Sequence, residues 1–177
     1  FFLLNDREHI KVTPVMMHGL GRSLPKGEAL LVPFNCDVII GDALAVTKIN
    51  VSNYKLDKRV ELHKESIFNF LTLKKFDVIL SNPPYLSSAE YDNLEIDVKN
   101  FEPKTALKGG YDGASHYKKI ITFASMFLKK NGLLALELGD QQFFKIKEIL
   151  ADNSFRVLDK YRLINGEIRC ILASKIG

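Results

Sequence analysis

The sequence predicts an α/β protein: a mostly parallel sheet with helices on both faces and a C-terminal antiparallel hairpin. Three observations carry this. Short apolar runs of strand length, Cys36–Ile40 (CDVII), Phe76–Leu80 (FDVIL) and Leu133–Leu138 (LLALEL), are separated by stretches of helical period, and that alternation is the mark of a parallel sheet covered by helices. Asn165-Gly166 lies between two further strand-like runs, the strongest short hairpin signal. The chain has 177 residues, 46% hydrophobic and 26% charged, which is enough for one domain with its own core.

Residues 1–35 show no sustained period. Pro14, Gly19, Gly21, Pro25, Gly27 and Pro33 interrupt every run, so this part reads as turns and short pieces. After the CDVII strand, Asp42 is the expected cap of a helix with Ala43, Val46, Thr47, Asn50 and Val51 at helical spacing. Arg59–His63 alternates as a strand does. Phe76–Leu80 is stopped by Asn82-Pro83-Pro84, because prolines cannot donate to a ladder. Tyr117–Lys130 predicts an amphipathic helix with Ile120, Ile121, Ala124, Phe127 and Leu128 on one face, ended by Asn131-Gly132. Leu133–Leu138 is a buried strand. Gln141–Leu150 is a helix with Phe144, Ile146 and Ile149 inward, and Phe155–Tyr161 and Ile168–Ser174 form the final hairpin.

Composition excludes several classes. Cys36 and Cys170 are the only cysteines, too few for a disulfide framework or a four-ligand zinc site, and they read as reduced core residues of a cytoplasmic protein. His9, His18, His63 and His116 lack metal-ligand spacing, so no metal is expected. No apolar run reaches the ~18 residues of a membrane span, and no signal peptide is visible. The net charge of +4 is compatible with partners near nucleic acid and demands none. Lys74-Lys75, Lys118-Lys119 and Lys129-Lys130 read as solvated faces.

Chemistry is concentrated in Ser81-Asn82-Pro83-Pro84-Tyr85. Ligands of open α/β sheets sit beyond the carboxyl ends of the strands, where this segment falls. Two prolines fix φ and remove two donors. The backbone then offers carbonyls without competing N–H groups, the Asn82 amide adds another acceptor, and Tyr85 adds a flat wall. Such a turn suits a planar –NH2 group. Accepting both of its hydrogens orients a weak nitrogen nucleophile toward an electrophilic methyl. Read blandly, the same residues are a strand-ending turn.

Asn82-Pro83-Pro84-Tyr85 resembles the signature of amino-group methyltransferases. Phe101-Glu102-Pro103-Lys104-Thr105-Ala106-Leu107 followed by Gly109-Gly110-Tyr111-Asp112-Gly113 resembles a block of the release factor glutamine methyltransferases. Leu136-Glu137-Leu138-Gly139 with Gln141, and the hairpin residues Asp159, Gly166 and Arg169, resemble further blocks of that family. The resemblance runs from about residue 42 to the C-terminus. It implies a Rossmann-like class I S-adenosylmethionine-dependent methyltransferase that methylates the side-chain amide of a glutamine in a Gly-Gly-Gln loop of peptide chain release factors. It implies that Asn82 contacts cofactor and substrate amide, that Pro83 offers its carbonyl to the amide, and that Pro84 and Tyr85 complete the pocket. A release factor is the implied partner, with indirect ribosome association, in a monomeric enzyme.

Three departures qualify this. The family's glycine-rich cofactor loop has no counterpart except His18-Gly19-Leu20-Gly21-Arg22-Ser23, which lacks a preceding apolar strand ending in an acid. The acid expected at the ribose falls at Val38, leaving the neighbouring Asp37 as candidate, with a cap or a solvated group as the bland alternative. The adenine-side residue falls at Ser66, beside Glu65, where an N-cap role serves equally. Glu137 is either site-shaping or a structural hydrogen-bonding residue, and Gly109, Gly110 and Gly113 serve loop geometry. The family's N-terminal helical domain is missing, so residues 1–177 are read as the catalytic domain. The alternatives are an amino-methyltransferase acting on adenine or guanine of DNA or RNA, and a truncated non-catalytic remnant.

Overall fold

The computed structural model describes residues 12–14, 29–32, 40–63, 69–101 and 104–176. Six strands, β1 (Val12–Pro14), β2 (Ala29–Val32), β3 (Phe76–Ser81), β4 (Leu128–Glu137), β5 (Phe155–Arg162) and β6 (Ile168–Lys175), form one sheet in the order β1-β2-β3-β4-β6-β5. β1 to β4 run parallel, β6 is antiparallel to β4, and β5 pairs antiparallel with β6 at the edge. The mixed sheet with its helices is the expected Rossmann-like α/β architecture with a C-terminal antiparallel hairpin.

β3 forms because FDVILS has two parallel neighbours and little solvent on either face. Phe76 and Ile79 are fully buried, the near-continuous burial of a central parallel strand. Helix α5 (Ser115–Phe127) places Tyr117, Ile120, Ile121, Phe123 and Ala124 in the core, and α6 (Phe143–Asp152) places Ile146 and Leu150 there. Burying one such isoleucine or leucine contributes roughly 1.5–3 kcal/mol. α5 lies against α6 and β4, and α6 against β5 and β6.

Several expected boundaries move. Residues 36–39 of the expected first strand lie outside the described residues, and Ile40 instead opens α1 (Ile40–Asn53). Asp42 therefore sits in the first turn, not at the cap. Thr47 is buried while Asn50 is exposed. Arg59–His63 is not a strand: residues 57–59 turn, and only Val60 occupies a bridge position. The turn follows a backbone reversal in which Arg59 and Val60 both donate to the Leu56 carbonyl.

Helix α5 stops at Phe127, three residues early, because Leu128 already pairs with Phe76. The register then jumps from Phe76↔Leu128 to Val78↔Leu133, so Lys129–Gly132 loops out within β4. Asn131, expected to end the helix, takes a left-handed φ of 60° in that bulge, a conformation asparagine tolerates. Phe144, expected inward, is 75% exposed; Phe143 is the ring packed against the core. The inward stripe of α6 therefore runs through 143, 146, 149 and 150, which is helical spacing.

Candidate active site

The three central parallel strands end level. Ser81 pairs with Val32, the last residue of β2, and with Leu136, next to the last residue of β4. The chain beyond Ser81 therefore emerges at the carboxyl edge of the sheet, where α/β proteins hold ligands. Asn82 is exposed there, Pro83 and Pro84 are buried, and Tyr85 is half-buried. The turn is thus seated in the protein through its prolines and presents the Asn82 amide outward. The sequence expectation of an acceptor-rich turn at this position is met in placement.

Separate segments clamp the turn. Its exit is stitched to the glycine-rich segment: Leu86 N–H donates to the Leu107 carbonyl at 3.1 Å, and Gly109 N–H donates to the Leu86 carbonyl at 2.7 Å. Immediately afterwards Ser87 caps helix α2 (Ser88–Asp92): its hydroxyl accepts from Glu90 N–H at 3.2 Å, and the Glu90 carboxylate accepts from Ser87 N–H at 2.7 Å. This reciprocal box fixes where the chain leaves the site. Two short helices, α3 (Ile96–Phe101) and α4 (Lys104–Leu107), then return the chain to the turn.

Gly109 is required by close approach. A Cβ there would stand 2.7 Å from the Pro84 carbonyl oxygen and 2.9 Å from the Tyr85 Cα. Gly110, at φ +103°, lies in the region that favours glycine. Both serve loop geometry, as the sequence implied.

From the other side, Gln142 bridges two strands' ends. Its Nε2 donates to the Tyr85 carbonyl at 2.7 Å, and its Oε1 accepts from Gly139 N–H at 3.2 Å. The adjacent Gln141, the residue matched from sequence, is exposed with φ 58°. The glutamine that meets the turn is one position later, because Gln142 is the residue preceding α6 and faces back to Gly139. Tyr85 packs so closely on Gly139 that a Cβ at residue 139 would lie 2.6 Å from the ring.

The tyrosine's outer end is held by Arg169 of β6. Arg169 Nη2 donates to the Tyr85 hydroxyl at 2.5 Å, and the guanidinium lies over the ring, 5.0 Å from its centroid. The same guanidinium meets the Glu137 carboxylate at 3.2 Å and the Asp140 carboxylate at 3.4 Å. The Arg169 pKa is affected first by burial, which opposes its charge, but Tyr85 and the two carboxylates outweigh that and raise it. Both parts of Glu137 are engaged: its carboxylate pairs with Arg169, and its carbonyl accepts from the buried Tyr117 hydroxyl at 2.9 Å. Burial holds the Tyr117 phenol far above its ordinary range and therefore protonated.

The loop beyond Gly110 carries its own clasp. Asp112 accepts from Lys145 Nζ at 2.7 Å and from Ala114 N–H at 3.1 Å. The Lys145 hydrogen bond, then the Ala114 amide, holds its carboxyl below the ordinary aspartate range.

The structure therefore brings together four stretches distant in sequence: 82–86, 107–113, 137–142 and Arg169. Asp37, Ser66, Glu65, Glu102, Pro103 and the His18–Ser23 segment lie outside the described residues. Gln142 and Arg169 are the site residues that sequence reasoning did not assign. For Arg169 the available signal was its place in the matched hairpin. Among the described residues no cluster of metal-ligating side chains occurs, and no helix is long and apolar enough to cross a membrane.

Residues 35–166 match a family model described as Eco57I restriction-modification methylase. A release factor glutamine methyltransferase from Fusobacterium nucleatum is 39% identical over 72% of this chain and 37% of its own length. A bifunctional methyltransferase from Rickettsia conorii is 34% identical over 77% of this chain and 26% of its own length. The chain thus spans between about a quarter and two fifths of the length of these curated relatives. A methyltransferase crystal structure from Pyrococcus furiosus shares the fold at a TM-score of 0.57 and 19% identity, covering 85% of this chain and 64% of that one.

Proposed function

The chain belongs to the Eco57I restriction-modification methylase family and is a relative of the release factor glutamine methyltransferases, and from that premise we propose that residues 1–177 are the catalytic domain of an S-adenosylmethionine-dependent protein-(glutamine-N5) methyltransferase. Its proposed substrate is the glutamine of a Gly-Gly-Gln loop in a peptide chain release factor. The observation that supports this most is the seating of the 107–113 segment on the Asn82–Tyr85 turn, since these are the two blocks whose combination distinguishes the glutamine enzymes. The proposed enzyme is a cytoplasmic monomer that meets the ribosome only through its substrate.

The residues present suit the chemistry. S-adenosylmethionine supplies an electrophilic methyl on a sulfonium. Asn82 Oδ1 and the Pro83 carbonyl accept the two amide hydrogens of the substrate and aim its nitrogen. Buried Pro83 and Pro84 add no N–H to compete and shield the turn from water, and Tyr85 forms the wall. The new bond is N–C, the broken one S–C, and the amide proton leaves to solvent, so no strong base is needed. Holding such partners in line can supply several of the roughly 7–11 kcal/mol available from orientation. In this proposal Asn82 would also contact the cofactor, and Asp37 and Ser66 would be the residues that hold its ribose and adenine.

The matched family name favours a second reading, methylation of an exocyclic amine of adenine or guanine in DNA or RNA. A flipped base would stack on Tyr85, but one face of that ring already carries Arg169, which favours the smaller amide. Labelled S-adenosylmethionine offered with purified release factor or with nucleic acid separates the readings. Label is expected in the release factor, and Asn82→Ala should lower that transfer by about 100-fold. Label in nucleic acid alone would overturn the glutamine assignment, and label in neither would favour a non-catalytic remnant.

A further inference from the structure

We propose that Arg169 is a positioning residue that sets the orientation of Tyr85, and through it the wall of the substrate pocket. The proposal rests on the methyl-transfer reading for its purpose, but on geometry for its content. Tyr85 follows two prolines and is half-buried, so its backbone is fixed while its ring needs a second anchor. Its carbonyl is held by Gln142 and its inner edge by Gly139. Its hydroxyl and one ring face are held by Arg169.

Arg169 is itself aimed by two carboxylates, Glu137 at the end of β4 and Asp140 in the loop after it. A planar fork that satisfies two carboxylates and a phenol at once suits arginine and not lysine. The arrangement ties the turn after β3 to β4 and β6. Arg169 touches Tyr85 rather than the reacting atoms, so its effect must pass through the ring.

Two measurements on the full chain test this. In protein labelled with 3-fluorotyrosine, six tyrosines give six fluorine resonances, and Tyr85→Phe assigns one of them. Arg169→Met should shift and broaden the Tyr85 line while the fold, followed by circular dichroism, persists. Arg169→Lys should give an intermediate line and serves if the methionine variant does not fold. An unchanged Tyr85 line in both variants would overturn the proposal.

With release factor and labelled S-adenosylmethionine, Arg169→Met should lower kcat by about tenfold, the scale of a charged hydrogen bond, with little change in KM for the cofactor. Combining it with Tyr85→Phe should cost no more than the worse single change. Multiplied losses in the double variant would overturn the proposal. Wild-type protein that leaves the release factor unlabelled would instead sink the substrate reading, and the fluorine spectra would still decide Arg169.

Discussion

Replacing Gly109 by alanine probes how tightly the glycine segment is fitted to the turn. The added Cβ would lie 2.7 Å from the Pro84 carbonyl oxygen, 2.8 Å from the Gly113 carbonyl oxygen and 2.9 Å from the Tyr85 Cα. All three are backbone atoms, so no side chain can rotate away and the turn itself must move. Overpacking of this kind costs about 1–3 kcal/mol. For a domain of this length that is roughly 2–12 °C in Tm, at about 2–4 °C per kcal/mol.

The loss in turnover should exceed what stability explains, because the atoms displaced belong to the residues that hold the substrate. A fall of about tenfold per folded molecule is expected, since a 1 Å displacement can cost roughly 100-fold. Gly132→Ala supplies the control. Its Cβ would also be crowded, 2.9 Å from the Lys129 carbonyl oxygen and 3.1 Å from Leu128 Cδ2, but in the bulge toward the amino end of β4. It should lower Tm without lowering turnover per folded molecule. Differential scanning calorimetry and methyl-transfer assays on both variants decide the matter. A Gly109→Ala protein with wild-type Tm and turnover would refute the reasoning, and so would a Gly132→Ala protein as impaired in turnover.

Two further outcomes follow from the clasps. Gln142→Ala leaves the Tyr85 carbonyl and Gly139 N–H without their partner, which should cost about 1–3 kcal/mol. Denaturant unfolding should show that loss, with Gln141→Ala within about 0.5 kcal/mol of wild type because its side chain is exposed; equal losses would contradict the assignment of the glutamine. The Asp112 carboxyl is held below the ordinary aspartate range in the folded protein by Lys145 and Ala114, so its contribution is complete above the unfolded value and disappears as pH falls through the folded one. The Tm advantage of wild type over Asp112→Asn should therefore be constant from pH 7 to about 5 and shrink below pH 4. An advantage that persists unchanged to pH 3 would show that the carboxylate charge does not hold the loop.

What the sequence made legible follows the range of the forces involved. Apolar runs and turn residues act locally, so β3, α5, α6 and the Asn165-Gly166 hairpin could be read within a few residues. The errors fall where tertiary pairing overrides local period. Lys129 and Lys130 continue the helical pattern of α5, yet Leu128 is captured by Phe76 of the neighbouring strand. Phe144 has the apolarity of a core residue, but it is exposed while Phe143 packs against the core.

The site shows the same division more sharply. The turn at Asn82–Tyr85 was readable because two prolines and an asparagine at a strand end have few uses. Its clamps were not, since Gln142 is 57 residues away and Arg169 is 84. Nothing in the periodicity of a strand says which of its residues meets a distant phenol. Arg169 looks locally like an ordinary strand arginine, and Gln142 like an ordinary residue before a helix. A matched family block marks Arg169 without explaining it, and the explanation is electrostatic. A half-buried guanidinium between Glu137 and Asp140 is costly unless every donor has a use, and the Tyr85 hydroxyl is the use that links the hairpin to the turn.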